Sequence, residues 1–373
     1  MIPVFKPSYD EREINALREI FKLGWIGLGP KTKEFEDKFS EFIGVKHSIG
    51  VNSCTAALHL ALTILNIEGS EVITSPMTFV SSNHAILYSK ATPVFADIQQ
   101  DTLNIDPNSV KKLITNKTKA ILVVHYGGHS CDMDEIMNIA TSKGIVVIED
   151  CAHGCGGSYK KRMLGSIGNI GCFSFHAVKN LACGDGGMIT LNDDKWAKKL
   201  RSLRWLGIDK DTWSRNEIDK KYSWYYTVEE IGYKCHMNDI MAVLGLVQLE
   251  KLEYTNRRRK EITRIYNKEF ASIHWLKTPI EKAGIDSANH NYVVKIAKDK
   301  RDAFTEYLAS KDISTSVHYF PNHLYDVYKP YYRKLPVAES VWKEIVTLPL
   351  YPDMTDSDIS KVINTVKEFS VKI

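Results

Sequence analysis

The sequence predicts an α/β protein in which a large domain with a mostly parallel seven-stranded sheet is followed by a smaller α+β domain. Two observations support this prediction. From residue 46 onward, short apolar runs rich in β-branched residues recur, and segments of helical periodicity separate the early runs. Continuous apolar strands joined by crossover helices are typical of a parallel sheet that is covered on both faces. We place the large domain at residues 1–248 and the small domain at residues 249–373.

The chain before the first strand contains one predicted helix and one glycine-rich loop. Residues 8–22 carry apolar side chains at helical spacing and predict a surface helix. Residues 24–30, Gly-Trp-Ile-Gly-Leu-Gly-Pro, place three glycines around Trp25, which indicates a backbone that bends or lets another group approach closely. Trp25 therefore either packs into the core beside a structural turn or lies at the mouth of a binding site.

The regular elements of both domains follow from the alternation of these patterns. Strands are predicted at residues 46–52, 71–77, 92–98, 120–126, 144–150, 171–176 and 187–191. Helices are predicted at residues 55–65, 80–88, 107–114, 133–143 and 193–206, and one or two long helices at residues 237–266. The rest of the chain alternates strand-like and helical segments, which is typical of a small α+β domain.

Composition and charge exclude several classes of function. The chain has 373 residues, of which 44% are hydrophobic and 25% charged, and its formal net charge is +4. Because this charge is small and spread out, no nucleic-acid partner is expected. No apolar run approaches the roughly 20 residues that span a bilayer, and the N-terminus does not resemble a signal peptide. We therefore expect a cytoplasmic protein without a membrane partner.

The seven cysteines do not form a recognisable metal-binding pattern. They stand at positions 54, 131, 151, 155, 172, 183 and 235. Cys151 and Cys155 have the spacing C-x₃-C, but no second pair and no histidine spacing completes a zinc site. We expect reduced structural thiols and no metal.

Asp150 and Lys179 are the principal candidates for catalysis. Asp150 ends the predicted strand 144–150, and Lys179 follows the predicted strand 171–176. In parallel sheets, ligands gather at the carboxyl ends of the strands. Pyridoxal 5′-phosphate (PLP) needs such a pair, since a lysine forms its Schiff base and a carboxylate keeps its pyridine nitrogen protonated. Considered singly, Asp150 could instead cap a loop, and Lys179 could be an exposed surface lysine.

The sequence around these two residues resembles one protein family. The matching stretches are Asp150-Cys-Ala-His153, residues 165–180 (GSIGNIGCFSFHAVKN) and Gly184-Asp-Gly-Gly-Met. They are similar to the core of the DegT/DnrJ/EryC1/StrS family, and the similarity covers nearly the whole chain. This resemblance implies PLP fold type I, the aspartate-aminotransferase-like fold, and PLP-dependent transamination. Some members carry histidine at the lysine position and act as dehydratases, so Lys179 favours an aminotransferase.

The resemblance also implies cofactor contacts. Thr55 opens a helix whose N-terminus suits a phosphate, although it could be an N-cap and nothing more. Cys54 stands where the family has a small residue, often glycine, and a backbone role remains open to it. Phe79 would stack on the pyridine ring, unless it is a core residue. His153 would donate a hydrogen bond to the phenolic oxygen, and Ser174 would bind the phosphate.

Lys234 is expected to act across a subunit interface. The segment at residues 232–240, Gly-Tyr-Lys-Cys-His-Met-Asn-Asp-Ile, resembles the family segment that reaches the phosphate of the partner subunit in a homodimer. The family commonly has asparagine at position 234, where this chain has lysine. Residues 207–231, with Trp213 and Trp224, are polar and aromatic without clear periodicity, and the resemblance places them near the dimer interface and the sugar site.

Four further residues are candidate substrate contacts. Trp25 belongs to the glycine-rich loop, His125 follows the fourth predicted strand together with His129, and His318 and His323 flank a predicted turn. A lone histidine is more often structural than catalytic, and a purely structural turn at residues 318–323 is an equally good interpretation.

Together these residues predict an enzyme that moves an amino group from L-glutamate to a nucleotide-linked keto sugar, cycling between PLP and its amine form, PMP. Lys179 would carry the proton between the substrate Cα and the cofactor C4′. We expect a 4-keto-6-deoxyhexose that serves surface-polysaccharide or glycoconjugate synthesis, with a cyclitol ketone or a small phosphorylated ketone as the alternative. A non-catalytic regulatory protein is disfavoured because both Lys179 and Asp150 are present. The cofactor motifs do not distinguish dTDP-, UDP- and GDP-linked sugars.

Overall fold

The computed structural model describes residues 1–209, 225–297 and 299–370, so the predictions for Trp213 and Trp224 lie outside the described residues. The described helices are α1 (Glu11–Leu23), α2 (Pro30–Ile43), α3 (Cys54–Thr63), α4 (Val80–Tyr88), α5 (Pro107–Leu113), α6 (Met133–Thr141), α7 (Asp194–Leu203), α8 (Asp239–Phe270), α9 (Arg301–Ser310), α10 (Pro336–Val341) and α11 (Asp356–Ser370). The described strands are β1 (His47–Val51), β2 (Glu71–Thr74), β3 (Thr92–Phe95), β4 (Thr118–Val124), β5 (Val146–Asp150), β6 (Ser158–Tyr159), β7 (Arg162–Met163), β8 (Ile170–Ser174), β9 (Gly187–Leu191), β10 (Leu276–Lys277), β11 (Ile285–Asp286), β12 (Tyr292–Ile296) and β13 (Ile345–Leu348).

Seven strands form the central sheet in the order β1-β9-β8-β5-β4-β2-β3. Strand β9 runs antiparallel to both of its neighbours, and the other neighbouring strands are parallel. The predicted mostly parallel seven-stranded sheet is therefore confirmed. Its register pairs Val124 with Asp150 and Asp150 with Cys172, so the carboxyl ends of β4, β5 and β8 lie side by side.

Two apolar layers cover the sheet and explain why its strands are continuous apolar runs. One layer contains Phe35 and Phe39 of α2 together with Ile121 of β4, and the other contains Leu58 of α3 together with Leu122 of β4. Adjacent residues of a strand point to opposite faces, so both faces require apolar side chains. The sheet is thereby fixed between helices, and only the ends of its strands are left to form a site.

Helix α2 is not among the helices predicted from the sequence. Its N-terminal backbone N–H groups at Lys31 and Thr32 donate to the carboxylate of Asp239, at 3.1 and 2.8 Å. The Thr32 hydroxyl donates to the same carboxylate at 2.7 Å. The capping carboxylate lies at the start of α8, about two hundred residues away. Locally, Gly29 at the N-cap and Pro30 at the first helical position mark where α2 begins.

The small domain consists of the antiparallel sheet β10-β12-β13 with α9 and α11 packed against it. Helix α8 contributes Leu246 to the core of the large domain and Ile262 and Tyr266 to the core of the small domain. The division of the chain at residues 248 and 249 falls inside this helix and stays a prediction. Among the described residues, no helix combines the length and apolar composition that crossing a membrane requires.

The first nine residues, which we call the N-terminal strap, join the two domains. Ile2 exchanges backbone hydrogen bonds with Asp312 and Ser314 of the small domain, and Val4 accepts one from the Leu350 N–H at 3.1 Å. At the other end of the strap, the Tyr9 hydroxyl donates to the carbonyl of Ala182 in the large domain at 3.3 Å. The strap therefore crosses the cleft between the domains.

Candidate active site

A cavity of about 820 Å³ lies at the carboxyl ends of the central strands, between the two domains. It brings together eight of the residues predicted from the sequence, namely Cys54, Thr55, Phe79, Asp150, His153, Ser174, Lys179 and His318. The other four predicted residues, Trp25, His125, Lys234 and His323, do not line this cavity.

The N-terminus of α3 forms one end of the cavity. Ser53 is the N-cap residue, since its side chain accepts a hydrogen bond from the Ala56 N–H at 3.1 Å. Thr55 is therefore not the cap; Cys54 and Thr55 occupy the first two helical positions, and their N–H groups have no partner among the described residues. Free N–H groups at a helix N-terminus attract an anion such as a phosphate.

Gly187 allows β9 to pass directly beneath this helix end. A Cβ atom at Gly187 would lie 2.6 Å from the carbonyl carbon and oxygen of Ser53 and 2.8 Å from the nitrogen of Cys54. Any larger residue would push the strand away from the helix N-terminus. This close approach is the physical reason for a glycine at the start of β9.

Asp150 is buried at the end of β5 and already accepts hydrogen bonds on both carboxylate oxygens. The Ser82 hydroxyl donates to Oδ2 at 2.7 Å, and the Ala152 N–H donates to Oδ1 at 3.0 Å. Burial raises the pKa of Asp150, while the bonds from Ser82 and Ala152 and the nearby Lys179 oppose that rise. A cationic ring N–H placed against Asp150 would compensate for the cost of burying this charge.

Ser82 is a positioning residue that the sequence analysis does not single out. Its hydroxyl lies 2.7 Å from the Thr78 hydroxyl as well as 2.7 Å from Asp150, which fixes the orientation of the carboxylate. We expect Ser82→Ala to weaken PLP binding to the apoprotein by about 5- to 20-fold, since one hydrogen bond to a charged group is lost. Fluorescence titration of the apoprotein with PLP measures this effect, and Ser82→Thr, which retains the hydroxyl, is the matched control. Unchanged affinity in Ser82→Ala would show that Asp150 needs no support from Ser82.

Lys179 lies in the turn between β8 and β9, where its backbone N–H donates to the carbonyl of His176 at 2.8 Å. Burial lowers the pKa of its amine to about 8, and Asp150 partly counteracts this shift. An ordinary lysine has a pKa of about 10.4, so far more of this amine is unprotonated near neutral pH. An unprotonated amine is the nucleophilic form.

His153 is held in one tautomer. The Gly127 N–H donates to its Nδ1 at 3.3 Å, so the proton of the neutral ring is on Nε2, which lies 3.0 Å from the Tyr319 hydroxyl. Burial, with contributions from Lys179 and His318, lowers the pKa of His153 well below the usual range and keeps the ring neutral. His153 therefore donates from Nε2, and the Tyr319 O–H is left to donate to a bound molecule.

Phe79 stands opposite this pair at the N-cap position of α4. Its ring is 60% exposed although it lines the cavity, and its centroid lies 6.4 Å from that of Tyr319. An apolar ring exposed at the wall of a cavity is available for stacking on a planar molecule. The position thus excludes the alternative that Phe79 is a core residue.

His125 lies behind the cavity and has a structural environment. Its Nε2 is 3.0 Å from Glu149, and its Nδ1 accepts from the Cys131 N–H at 3.1 Å. Glu149 also accepts hydrogen bonds from the N–H groups of Gly165, Ile167 and Gly168. The prediction that His125 contacts substrate is not supported, because both ring nitrogens are engaged and the side chain is fully buried.

His323 is likewise engaged away from the cavity. Its Nε2 lies 3.2 Å from Glu339, and its ring stacks on Tyr332 with centroids 5.8 Å apart. His318, by contrast, lines the cavity, and its Nδ1 lies 2.8 Å from the Thr347 hydroxyl. The turn at residues 318–323 therefore places one of its two predicted histidines at the site.

Trp25 and Lys234 lie at the outer surface of the single chain. The Trp25 indole donates to the Leu28 carbonyl at 3.1 Å, and the ring packs over Gly29. The Lys234 amine sits 4.6 Å from the ring centroid of Trp205. Contact of either residue with a substrate or with a partner's phosphate stays a prediction.

One buried group within the described part of the chain has the composition of a metal site. His125, Glu149 and Cys151 place one potential ligand atom each within 4.8 Å of one another. The oxygens of Glu149, however, accept four hydrogen bonds. Burial alone would raise the pKa of Glu149, but His125 and the backbone N–H groups of Gly165 and Gly168 outweigh it, so the pKa is lowered. These contacts give Glu149 a structural role in fixing the turn after β7.

Comparison with known proteins identifies the scaffold. The sequence profile of the DegT/DnrJ/EryC1/StrS aminotransferase family matches residues 7–367. The chain belongs to this family. It is a PLP-dependent aminotransferase of fold type I, as the resemblance of its sequence to the family predicts.

Individual DegT-family proteins resemble the chain over its full length. The spore coat polysaccharide biosynthesis protein SpsC of Bacillus subtilis is 43% identical over 381 residues, which cover 98% of this chain and 96% of that protein. The putative sugar aminotransferase Spr1654 of Streptococcus pneumoniae, in its PMP form, superposes with a TM-score of 0.94 at 33% identity over 100% of both chains. PseC of Helicobacter pylori, an aminotransferase of pseudoaminic acid biosynthesis, has a TM-score of 0.92 at 27% identity, again over 100% of both chains.

The residues of the cavity fit PLP. Asp150 offers a carboxylate for the ring nitrogen, the free N–H groups at the start of α3 and the Ser174 hydroxyl suit the phosphate, and Lys179 supplies the amine. When bound, PLP supplies an electron sink for the carbanion of an amino-acid substrate. The protein itself must orient this group, exclude water and move protons.

Several site residues escape the sequence analysis because their relation to the cavity is not local. They are Phe5, Ser53, Ser82, His290 and Tyr319. Ser53 carries a recognisable signal, because serine is a favoured N-cap and directly precedes the predicted helix. The others come from the strap, a helix and the small domain, and no spacing in the sequence connects them with Asp150.

Proposed function

We propose that this aminotransferase transfers an amino group from L-glutamate to a nucleotide-linked keto sugar, and we take a 4-keto-6-deoxyhexose as the first candidate. The names of SpsC, Spr1654 and PseC connect those three proteins with sugars, which supports a sugar acceptor here. The product would serve a surface polysaccharide or glycoconjugate.

The observation that carries this proposal is the extent of the cavity. Its volume of about 820 Å³ is near the upper end of the roughly 300–1,000 Å³ typical of small-molecule sites. It reaches from Lys179 and Asp150 in the large domain to Arg301 and Trp342 in the small domain. A cofactor and a small amino acid alone would leave much of this space to water.

The outer end of the cavity has the chemistry that a nucleotide requires. Phe320 packs against both Trp342 and Tyr325, with ring centroids 4.9 and 5.0 Å apart. Arg301 lies over the Trp342 ring, 5.6 Å from its centroid, where it pairs with the exposed Asp302 at 3.0 Å and donates to the Trp342 carbonyl at 3.1 Å. Aromatic rings offer stacking surfaces for a base, and a diphosphate would compete with Asp302 for the guanidinium.

At the inner end of the cavity, different residues transfer protons and stabilise charge. Lys179, with its lowered pKa, would accept the proton from the Cα of the amino acid and deliver it to the C4′ position of the cofactor, and it would carry a proton in the reverse direction when the keto sugar is the substrate. Asp150 stabilises positive charge at the ring nitrogen. His153 donates to Tyr319, which leaves the Tyr319 O–H as a hydrogen-bond donor for a bound molecule, and both side chains limit the access of water.

The proposal is tested with protein loaded with PMP and mixed separately with dTDP-, UDP- and GDP-linked 4-keto-6-deoxy sugars. Absorbance follows the return of the cofactor from its amine to its aldehyde form. We expect conversion with one of the three, which would also identify the nucleotide. If none reacts although glutamate still converts bound PLP to PMP, the acceptor belongs to another class of ketone.

We also propose that the protein works as a homodimer, with Lys234 at the interface. The described segment 225–233 exposes large apolar side chains, with Ile231 92% exposed and Val228 59% exposed. The segment lies over the outer face of α3, since the rings of Tyr233 and His59 are 4.8 Å apart, and α3 leads to the cavity. Extended apolar exposure beside a site is typical of a protein interface.

We expect Ile231→Asp to weaken dimerisation by about 10-fold or more, because a charge would be buried at the interface without a partner. Sedimentation velocity over a range of concentrations measures the change. Val327→Asp, at a 53% exposed position in the small domain, is the matched control and should leave association unchanged. A wild-type protein that stays monomeric at micromolar concentration would contradict the homodimer.

A further inference from the structure

His290 forms part of the cavity wall, and both faces of its ring are covered. It precedes β12, is only 2% exposed and lines the cavity. The Phe5 ring of the N-terminal strap stacks on one face at a centroid distance of 5.3 Å and an angle of 2°. His153 stacks on the other face, 4.4 Å away. The ring can therefore form hydrogen bonds only through its edge.

A chain of hydrogen bonds that ends at backbone carbonyls shows that the proton of the His290 ring is on Nδ1. Asn256 donates its amide nitrogen to the Cys155 carbonyl at 3.0 Å, so its oxygen faces Asn180. Asn180 in turn donates to that oxygen and to the Ala288 carbonyl, both at 2.8 Å, so its own oxygen faces His290. This oxygen, 2.9 Å from Nδ1, can only accept, and Nδ1 of His290 must donate.

The opposite ring nitrogen of His290 is consequently an acceptor. Burial, with repulsion from His153, Lys179 and Arg259, lowers the pKa of His290 well below the usual range, so its ring carries a single proton. With that proton on Nδ1, Nε2 has a free lone pair, and it has no hydrogen-bond partner among the described residues. The stacked His153 has the reverse tautomer and donates from Nε2.

The cofactor does not offer a natural partner to this acceptor. In the PLP form, the phosphate, the phenolic oxygen and the aldehyde all accept hydrogen bonds, and the ring N–H is matched by Asp150. The PMP form adds one donor, its amine, but this is the group that must react with the ketone. A keto sugar, however, carries hydroxyl groups next to the ketone. An acceptor of fixed tautomer beside Lys179 suits such a hydroxyl, and a neutral acceptor avoids the desolvation cost of a carboxylate.

We propose that Nε2 of His290 accepts a hydrogen bond from a hydroxyl group of the keto sugar and selects acceptors that carry this hydroxyl. The inference rests on the proposed function and adds a specificity-determining residue to it. Asn180 fixes the tautomer, and Phe5 holds the ring in place from the N-terminal strap.

The first test compares the 4-keto-6-deoxy sugar that the wild type converts with its 2-deoxy and 3-deoxy analogues. We expect the wild type to prefer the hydroxylated sugar over one analogue by about 10- to 100-fold in kcat/KM, the effect of leaving one buried acceptor unpaired. In His290→Phe, which keeps the stacking but lacks the acceptor, the preference should fall to about 1. In His290→Gln, whose amide can replace both nitrogens, it should be largely restored.

The outcomes separate the inference from the proposed function. A wild type that converts the sugar but does not discriminate, or a His290→Phe variant that discriminates fully, would overturn the inference alone. No conversion of any keto sugar by the wild type would overturn both.

A second measurement needs no substrate and no variant. Two-bond ¹H–¹⁵N correlation spectra of the histidine-labelled wild-type protein report the tautomer of each ring. We expect His290 as the neutral Nδ1–H form and His153 as the neutral Nε2–H form. An Nε2–H or doubly protonated His290 at pH 7.5 would overturn the inference, whatever the activity of the protein.

Discussion

Lys179→Ala should lose at least about 10⁴-fold in turnover while folding as the wild type does, because one side chain provides both the nucleophilic amine and the proton carrier. No other lysine of the described chain lines the cavity. A neighbouring amine therefore cannot replace it. The variant should still bind PLP through Asp150 and the N-terminus of α3, but without a covalent bond.

Three measurements check this expectation. Mass spectrometry after borohydride reduction should find the cofactor attached to the wild type and not to the variant, and stopped-flow absorbance gives the rate with glutamate. Circular dichroism and thermal unfolding show whether the fold is retained. Lys112→Ala, at an exposed lysine in the last turn of α5, is the matched control and should keep full activity. Full turnover in Lys179→Ala would show that Lys179 is neither the nucleophilic amine nor the proton carrier.

Asp150→Asn should reduce turnover on the order of 10²- to 10³-fold, since an amide cannot stabilise a protonated ring nitrogen as a carboxylate does. The stability of the apoprotein should change in the opposite direction. The pKa of Asp150 is raised in the fold, so the ionised carboxylate destabilises the protein at pH 7, and this cost disappears as the pH falls through the raised pKa. The apo variant should thus melt at or above the wild-type temperature at pH 7, with a difference that shrinks on acidification.

The adjacent carboxylate provides the control for this prediction. Glu149 has a lowered pKa and stabilises the fold through its hydrogen bonds, a contribution present at neutral pH and lost as the pH falls through the lowered pKa. Glu149→Gln should accordingly melt well below the wild type at pH 7. Thermal unfolding of the three apoproteins between pH 5 and 8 measures the pH dependence expected for Asp150→Asn and the loss of stability expected for Glu149→Gln at neutral pH. A destabilised Asp150→Asn at pH 7 would contradict the view that this carboxylate is retained for function.

The parts of the fold that the sequence predicts correctly are those determined by local apolar patterns. All of the seven strands except the edge strand β3 bury consecutive residues, so they appear as continuous apolar runs. The same runs locate their carboxyl ends, which is why Asp150 and Lys179 could be placed together. Helix α2 is missed because Gly29 and Pro30, which mark its start, are assigned to the glycine-rich loop, and its capping carboxylate, Asp239, belongs to another helix.

The parts of the site that the sequence does not predict depend on contacts between distant segments. His125 and Asp150 both lie at strand ends, yet only Asp150 lines the cavity, because His125 is engaged by Glu149 and Cys131. Ser82 and His290 owe their roles to hydrogen bonds over 68 and 110 residues of sequence. No periodicity or spacing records such pairs.

The N-terminal strap has a consequence for the order in which the protein is completed on the ribosome. Val4 pairs with Leu350, so Phe5 is not held in its place against His290 until Leu350 has been synthesised. At about 5–20 residues per second, this delay lasts about 20–70 s. During that time the large domain can already form its sheet, but the cavity lacks a wall. Capture of the cofactor in its final surroundings therefore has to wait until Leu350 has been synthesised.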